Sequence, residues 1–148
     1  MRLSQMQDIA GCRVIVADTL VQDAVVGQIA TLFSSTIMDR RQKPSHGYRA
    51  VHVVVRPRRR PIEIQVRTVL QHLWAEFSEK SADAFGIEVK YGGGNKTFRE
   101  ALDNASVIVA RYERLEPNRP QLGDELAVLR GQIEENLLKM LAIVKESQ

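Results

Sequence analysis

Cysteine is almost missing. Cys12 is the single one in 148 residues, so no intrachain disulfide can form and a reducing compartment is expected. Cys12 stands in an apolar run, where a small buried side chain is expected in preference to a catalytic thiol. No Cys/His cluster has the spacing of a zinc site. No apolar run reaches the length that spans a bilayer, and the first residues lack the apolar stretch of a secretory signal. These absences point to a cytoplasmic protein with no membrane partner. Internal repeats and low-complexity tails are also lacking, and Asp and Glu dominate neither end.

What is present is ordinary in amount and uneven in placement. The chain is 44% hydrophobic and 26% charged, with a formal net charge of +3; its length suits one compact domain. The basic residues crowd the middle, from Arg40, Arg41 and Lys43 through Arg49 and Arg56 to Arg60 and Arg67. A basic centre suits a polyanion, either nucleotide phosphates or a nucleic acid. A solvated hairpin that keeps the protein soluble would show the same charges.

Hydrophobic spacing predicts the elements. Residues 7–17 end in a β-branched run and read as a buried strand. Asp18-Thr19 offers a cap for a helix over residues 19–33, with Leu20, Ala24, Val25, Ile29 and Leu32 as its inner stripe. Residues 34–39 form a short strand and Arg40–Gly47 a loop. Helices are expected over Val69–Phe85, with Leu70, Leu73, Trp74 and Phe77 inside, and over Thr97–Leu115, with Leu102, Ala105, Ile108, Val109 and Tyr112 inside. A glycine-rich loop, residues 91–95, separates them, and Glu116–Pro120 breaks the chain before a last helix over Leu122–Lys145. Its long apolar seam, from Leu122 and Leu126 to Leu141 and Val144, either covers the domain or pairs with another subunit.

The hairpin in the middle is the most informative segment. Tyr48–Val55 and Ile62–Arg67 read as strands joined by the basic turn Arg56–Pro61. Strand side chains alternate between faces. One face therefore carries Val51, Val53, Val55, Ile62, Ile64 and Val66, and the other carries Tyr48, Ala50, His52, Glu63, Gln65 and Arg67. The second set is well equipped for chemistry. Asp8, at the head of the first strand, and Glu63 could share one Mg²⁺, which favours carboxylate and phosphate oxygens. Alternatively, Asp8 ends a turn and Glu63 pairs with a surface arginine.

Three blocks carry a resemblance. Asp8-Ile9-Ala10-Gly11-Cys12-Arg13, then Gly47-Tyr48-Arg49-Ala50-Val51-His52, then Glu63-Ile64-Gln65-Val66-Arg67-Thr68 with His72-Leu73-Trp74-Ala75-Glu76 resemble, in order and spacing, the RelA/SpoT-type (p)ppGpp synthetases. The likeness runs from about residue 1 to 95, and the helices beyond suit the small single-domain members. It implies a GTP/GDP pyrophosphokinase that moves pyrophosphate from ATP to the 3′-hydroxyl of a guanine nucleotide with Mg²⁺ as cofactor. Asp8 and Glu63 would hold the metal, and Glu63 could instead help deprotonate the acceptor hydroxyl. Tyr48 would stack on guanine, His52 would lie near the acceptor's phosphates or ribose, and Lys43 would contact its phosphates. Gln65 and Arg67 would line the same face, with the Ala75 backbone and His72 near the guanine edge. Arg13, opposite Asp8 by simple alternation, reads as structural.

Two departures accompany the match. The family's ATP-binding Arg and Lys residues lie before the Asp8 strand, where this chain has only Arg2, so much of the donor site is expected to be missing. The loop Lys43-Pro44-Ser45-His46-Gly47-Tyr48 is a residue longer than the family's usual form and lacks its Asn. No hydrolase metal motif is seen, which argues against alarmone breakdown. A toxin-type enzyme that pyrophosphorylates the 3′ end of tRNA, and a non-catalytic nucleotide-binding or oligomerisation module, are the alternatives. A homo-oligomer would form through the C-terminal helices.

The fold expected is α+β and nucleotidyltransferase-like. It has a mixed sheet of about four or five strands, helices on its apolar face, the polar face open as a nucleotide cleft, and long C-terminal helices. Residues 1–95 would form the core and 96–148 a helical extension of the same domain.

Overall fold

The computed structural model describes residues 10–86, 88 and 96–146. Asp8 and the glycine-rich loop at 91–95 lie outside the described residues. The elements run β1 (Gly11–Val16), α1 (Thr19–Leu32), β2 (Ser35–Asp39), β3 (Val51–Val55), β4 (Ile62–Thr68), α2 (Val69–Phe85), α3 (Lys96–Leu115) and α4 (Arg119–Glu146). Short 3₁₀ turns at Pro57–Arg59 and Glu116–Asn118 join β3 to β4 and α3 to α4. The described residues fall into two compact units. One draws on Met1–Lys43 and Ala50–Val69, the other on Pro44–Arg49 and Leu70–Gln148.

The first unit holds a mixed four-stranded sheet in the order β1-β4-β3-β2. β1 runs parallel to β4, while β3 is antiparallel to both β4 and β2. Val51, Val53 and Val55 are buried and pack with Ile62 and Ile64 and with Val26 and Ile29 of α1. The alternation in the two strands thus gives one apolar face, and α1 covers it. Asp18 caps α1 as expected, its side chain accepting from the Val21 N–H at 2.9 Å.

The inner stripe of α1 differs from the expected one. Leu20 and Leu32 are exposed, at 58% and 74%, whereas Gln22 is fully buried. Its amide donates to the Val66 carbonyl at 2.8 Å and accepts from Arg41 at 3.1 Å. A polar side chain takes a core position because it satisfies a strand carbonyl and a guanidinium there. Arg41 also binds both oxygens of Asp39 and one of Asp23. Burial opposes its charge, but these two carboxylates outweigh that and hold it firmly protonated.

β1 is not the buried strand expected. Gly11, Cys12, Arg13 and Ile15 are exposed, because β1 lies at the sheet edge and pairs only with β4 among the described residues.

The second unit is a helical cluster. Leu70, Trp74 and Phe77 of α2 pack with Leu102, Ala105, Val109 and Tyr112 of α3 and with Leu126, Ile133, Leu137 and Val144 of α4. Residues of the α4 seam therefore pack inside their own unit. Ile108, expected inside, is 47% exposed; it lies beyond the edge of the buried α3 stripe. Trp74 is a core residue, its ring N–H bonded to the Leu102 carbonyl at 2.8 Å. α4 is interrupted at Gly123, whose φ of 48° and ψ of −126° leave the helical region.

Candidate active site

The polar face of the hairpin carries a row of four interacting side chains. His52 on β3 stands opposite Gln65 on β4 in the strand register, and Glu63 is the next residue along that face. His52 Nδ1 lies 2.7 Å from Glu63 Oε1. Gln65 Nε2 donates to Glu63 Oε2 at 3.3 Å, and Arg67 Nη2 donates to Gln65 Oε1 at 3.0 Å. A guanidinium thus polarises an amide whose other end points at a carboxylate, a sequence in which each bond strengthens the next.

Burial alone would raise the Glu63 pKa. Hydrogen bonds from His52 and Gln65 and the charge of His52 outweigh it, so Glu63 titrates below the usual carboxylate value. Glu63 is accordingly built to stay ionised. An ionised carboxylate only accepts, so His52 carries its hydrogen on Nδ1. The face is less open than expected: Arg67 is 3% exposed and His52, Glu63 and Gln65 are half-buried.

β1 adds a residue that simple alternation missed. Arg13 stands opposite Gln65, and Gly11 opposite Glu63, in the parallel register. Partners in a parallel ladder share a face, so Arg13 stands on the face of the polar row. Only the register reveals this, since a strand's face cannot be assigned until its partner is known. The chain also enters β1 beside Glu63, whose N–H donates to the Ala10 carbonyl at 3.0 Å.

The remaining predicted residues are carried elsewhere. Lys43 is exposed in the loop after β2. Tyr48, His72 and Ala75 belong to the helical unit. Tyr48 is not part of the β3 strand, as alternation implied. It closes a tight turn, donating its N–H to the Ser45 carbonyl at 3.0 Å, and it packs half-buried against the helical cluster. The turn needs left-handed backbone at His46 and Gly47, which a continuous strand could not supply. His72 is half-buried on α2. Ala75 is buried inside the same helix, where backbone groups bond one another.

Among the described residues no group of three or more His, Cys, Asp or Glu converges to hold a metal ion. Glu63 alone offers hard, ionised oxygens, and Mg²⁺ needs only one or two protein carboxylates when phosphates complete its shell. Glu63 could be one such ligand. No helix among the described residues is long and apolar enough to cross a membrane.

Known proteins resemble this arrangement. The family model described as "Region found in RelA / SpoT proteins" matches residues 1–83. Uncharacterized proteins of Mycobacterium tuberculosis and Mycobacterium bovis are 46% identical over 96 residues, covering 62% of this chain and 35% of each relative. The chain thus matches about a third of the length of those curated relatives. Among solved structures, small alarmone synthetase 2 from Bacillus subtilis superposes with a TM-score of 0.62 at 23% identity, over 79% of this chain and 67% of that one. Small alarmone synthetase 1 from Bacillus subtilis, bound to its product pppGpp, gives 0.59 at 23% identity, over 88% and 66%. A GTP pyrophosphokinase family protein from Streptococcus pneumoniae gives 0.53 at 23% identity, over 90% and 64%. At such identities the likeness to the solved structures establishes the fold.

Proposed function

The chain belongs to the RelA/SpoT family, and from that premise we propose that it serves pyrophosphoryl transfer from ATP to the 3′-hydroxyl of GDP or GTP. The observation that carries the proposal is the row His52–Glu63–Gln65–Arg67 on one face of the hairpin. In such a transfer the acceptor oxygen attacks the β-phosphorus, the bond to the α–β bridging oxygen breaks, and AMP leaves. The protein's tasks are alignment and charge stabilisation, with no covalent intermediate needed.

Within that scheme Glu63 and Asp8 would hold Mg²⁺, which supplies charge neutralisation on the phosphates. The lowered pKa of Glu63 favours the charge-holding role over that of a base, whose best pKa lies near the working pH. His52, with its hydrogen directed to Glu63, would lie near the acceptor ribose or phosphates. Arg67, Lys43 and Arg13 supply positive charge for the nucleotide, and Tyr48 and His72, with the Ala75 backbone, would receive the guanine.

A second acceptor, the 3′ end of tRNA, is favoured by one observation: Arg56, Arg58, Arg59 and Arg60 are all exposed around a single turn. Incubation with γ-labelled ATP and Mg²⁺, with GDP, GTP or tRNA in separate reactions, tests both. Label on the guanine nucleotide, abolished by chelation, supports the leading proposal. Label only on tRNA, with steep salt dependence, supports the second. If no acceptor gains label while GDP still raises the melting temperature, the chain acts as a nucleotide-binding module.

A further inference from the structure

The helical unit contains a buried carboxylate that none of the chemistry above uses. Glu113 of α3 is 8% exposed. Its Oε2 accepts from Arg49 Nε at 3.1 Å and Nη2 at 2.6 Å, and its Oε1 accepts from Gln71 Nε2 at 2.5 Å. About two turns earlier on the same helix face, Ser106 Oγ donates to the Gly47 carbonyl at 2.7 Å. The two attachments fall on Gly47 and Arg49, the residues on either side of Tyr48.

We propose that Ser106 and Glu113 are positioning residues that clamp Tyr48 for the acceptor base, so that α3 sets acceptor affinity without touching the reacting atoms. This rests on the acceptor role given to Tyr48 above. The turn that presents Tyr48 needs such a clamp. His46 and Gly47 both adopt left-handed backbone, with φ of 50° and 84°, and a non-glycine residue there is held only where its surroundings fix it. Contact with Trp74 and Ser106 is close enough that a Cβ on Gly47 would sit 2.8 Å from the Trp74 ring and 3.1 Å from Ser106 Cβ. An apolar pair in place of Arg49 and Glu113 could fill the same space. A desolvated ion pair, with two Arg49 nitrogens on one Glu113 oxygen and Gln71 on the other, fixes a single geometry instead, and it does so beside the aromatic that must meet a flat base. α3 lies beyond residue 83, where the family match ends, so the clamp is supplied by the part of this chain that the family region does not define.

The test uses Ser106→Ala, Glu113→Gln and, as a control on the exposed side of α3, Val107→Ala. Binding of a fluorescent GDP analogue and of a non-hydrolysable ATP analogue is measured separately, together with amide hydrogen exchange over residues 45–49. Ser106→Ala and Glu113→Gln should speed exchange in that segment and weaken GDP binding roughly tenfold to a hundredfold, with ATP binding and the control unchanged. Should Glu113→Gln fail to fold, Ser106→Ala, which removes one hydrogen bond, still decides the matter. Unchanged exchange, unchanged GDP affinity, or an equal loss for GDP and ATP would overturn the clamp. A wild-type chain that binds no GDP analogue would instead overturn the acceptor reading, and the clamp's function with it.

Discussion

His52 Nδ1 and Glu63 Oε1 meet at 2.7 Å across two antiparallel strands, although they stand eleven positions apart in sequence with a four-arginine turn between them. The contact ties a ring that can carry a proton to a carboxylate that stays ionised. It makes Glu63 the residue whose loss should separate chemistry from folding.

Glu63→Gln keeps the shape and one acceptor atom for His52 but removes the charge. Transfer to GDP or GTP should fall by roughly 10²-fold or more, while stability changes by about 1 kcal/mol. Labelled-product formation and thermal melting measure the two. Retained turnover would take Glu63 out of the catalytic set.

The same carboxylate should leave a mark on stability at acid pH. Its folded pKa lies below the ordinary value of 4.5, so its contribution is complete above 4.5 and is lost as pH falls through the folded value. Urea midpoints at several pH values from neutral down to about 3 should decline over that acid range in the wild type. The decline should be shallower in Glu63→Gln, and identical profiles would contradict the coupling.

Gln22→Leu is apolar, of similar size and destabilising. It removes the buried side-chain bond to the Val66 carbonyl and one acceptor from Arg41. The loss should be roughly 1–3 kcal/mol, read as a lower urea midpoint with an unchanged slope.

Gly47→Ala should be costly for two reasons. Its φ of +84° suits glycine, and the added Cβ would lie 2.8 Å from the Trp74 ring. Strain and overpacking together predict a loss of about 2–4 kcal/mol, visible as a fall in melting temperature. A neutral result would mean that the turn has room the geometry denies.

Where the signal was local, the sequence was legible. The period-two pattern of Val51–Val55 and Ile62–Arg67 located the hairpin and both of its faces, and α2 spans the predicted Val69–Phe85. Glu63, His52, Gln65 and Arg67 were grouped by parity and are joined by hydrogen bonds. Legibility ended where a partner from a distant segment decides. Gln22 reads as a surface residue until Val66 and Arg41 are placed beside it. Arg13 changes face once its register with Gln65 is known, and the edge position of β1 turns Cys12 outward. Tyr48 looked like the first residue of a strand because hydropathy does not register the left-handed turn that precedes it. Ser106 and Glu113 carried no signal at all, since a serine and a glutamate in an amphipathic helix are ordinary until Gly47 and Arg49 are placed against them.

The parallel pairing of β1 with β4 has a consequence for biosynthesis. Gly11 leaves the ribosome before its ladder partner, Glu63, which follows only after a helix and two further strands have been made. Until then β1 lacks its ladder partner among the described residues, and the polar row lacks the neighbour that brings Arg13 to it. Such long-range closure is slow relative to helix formation, so the polar row should mature after α1, the helix made between its two partner strands.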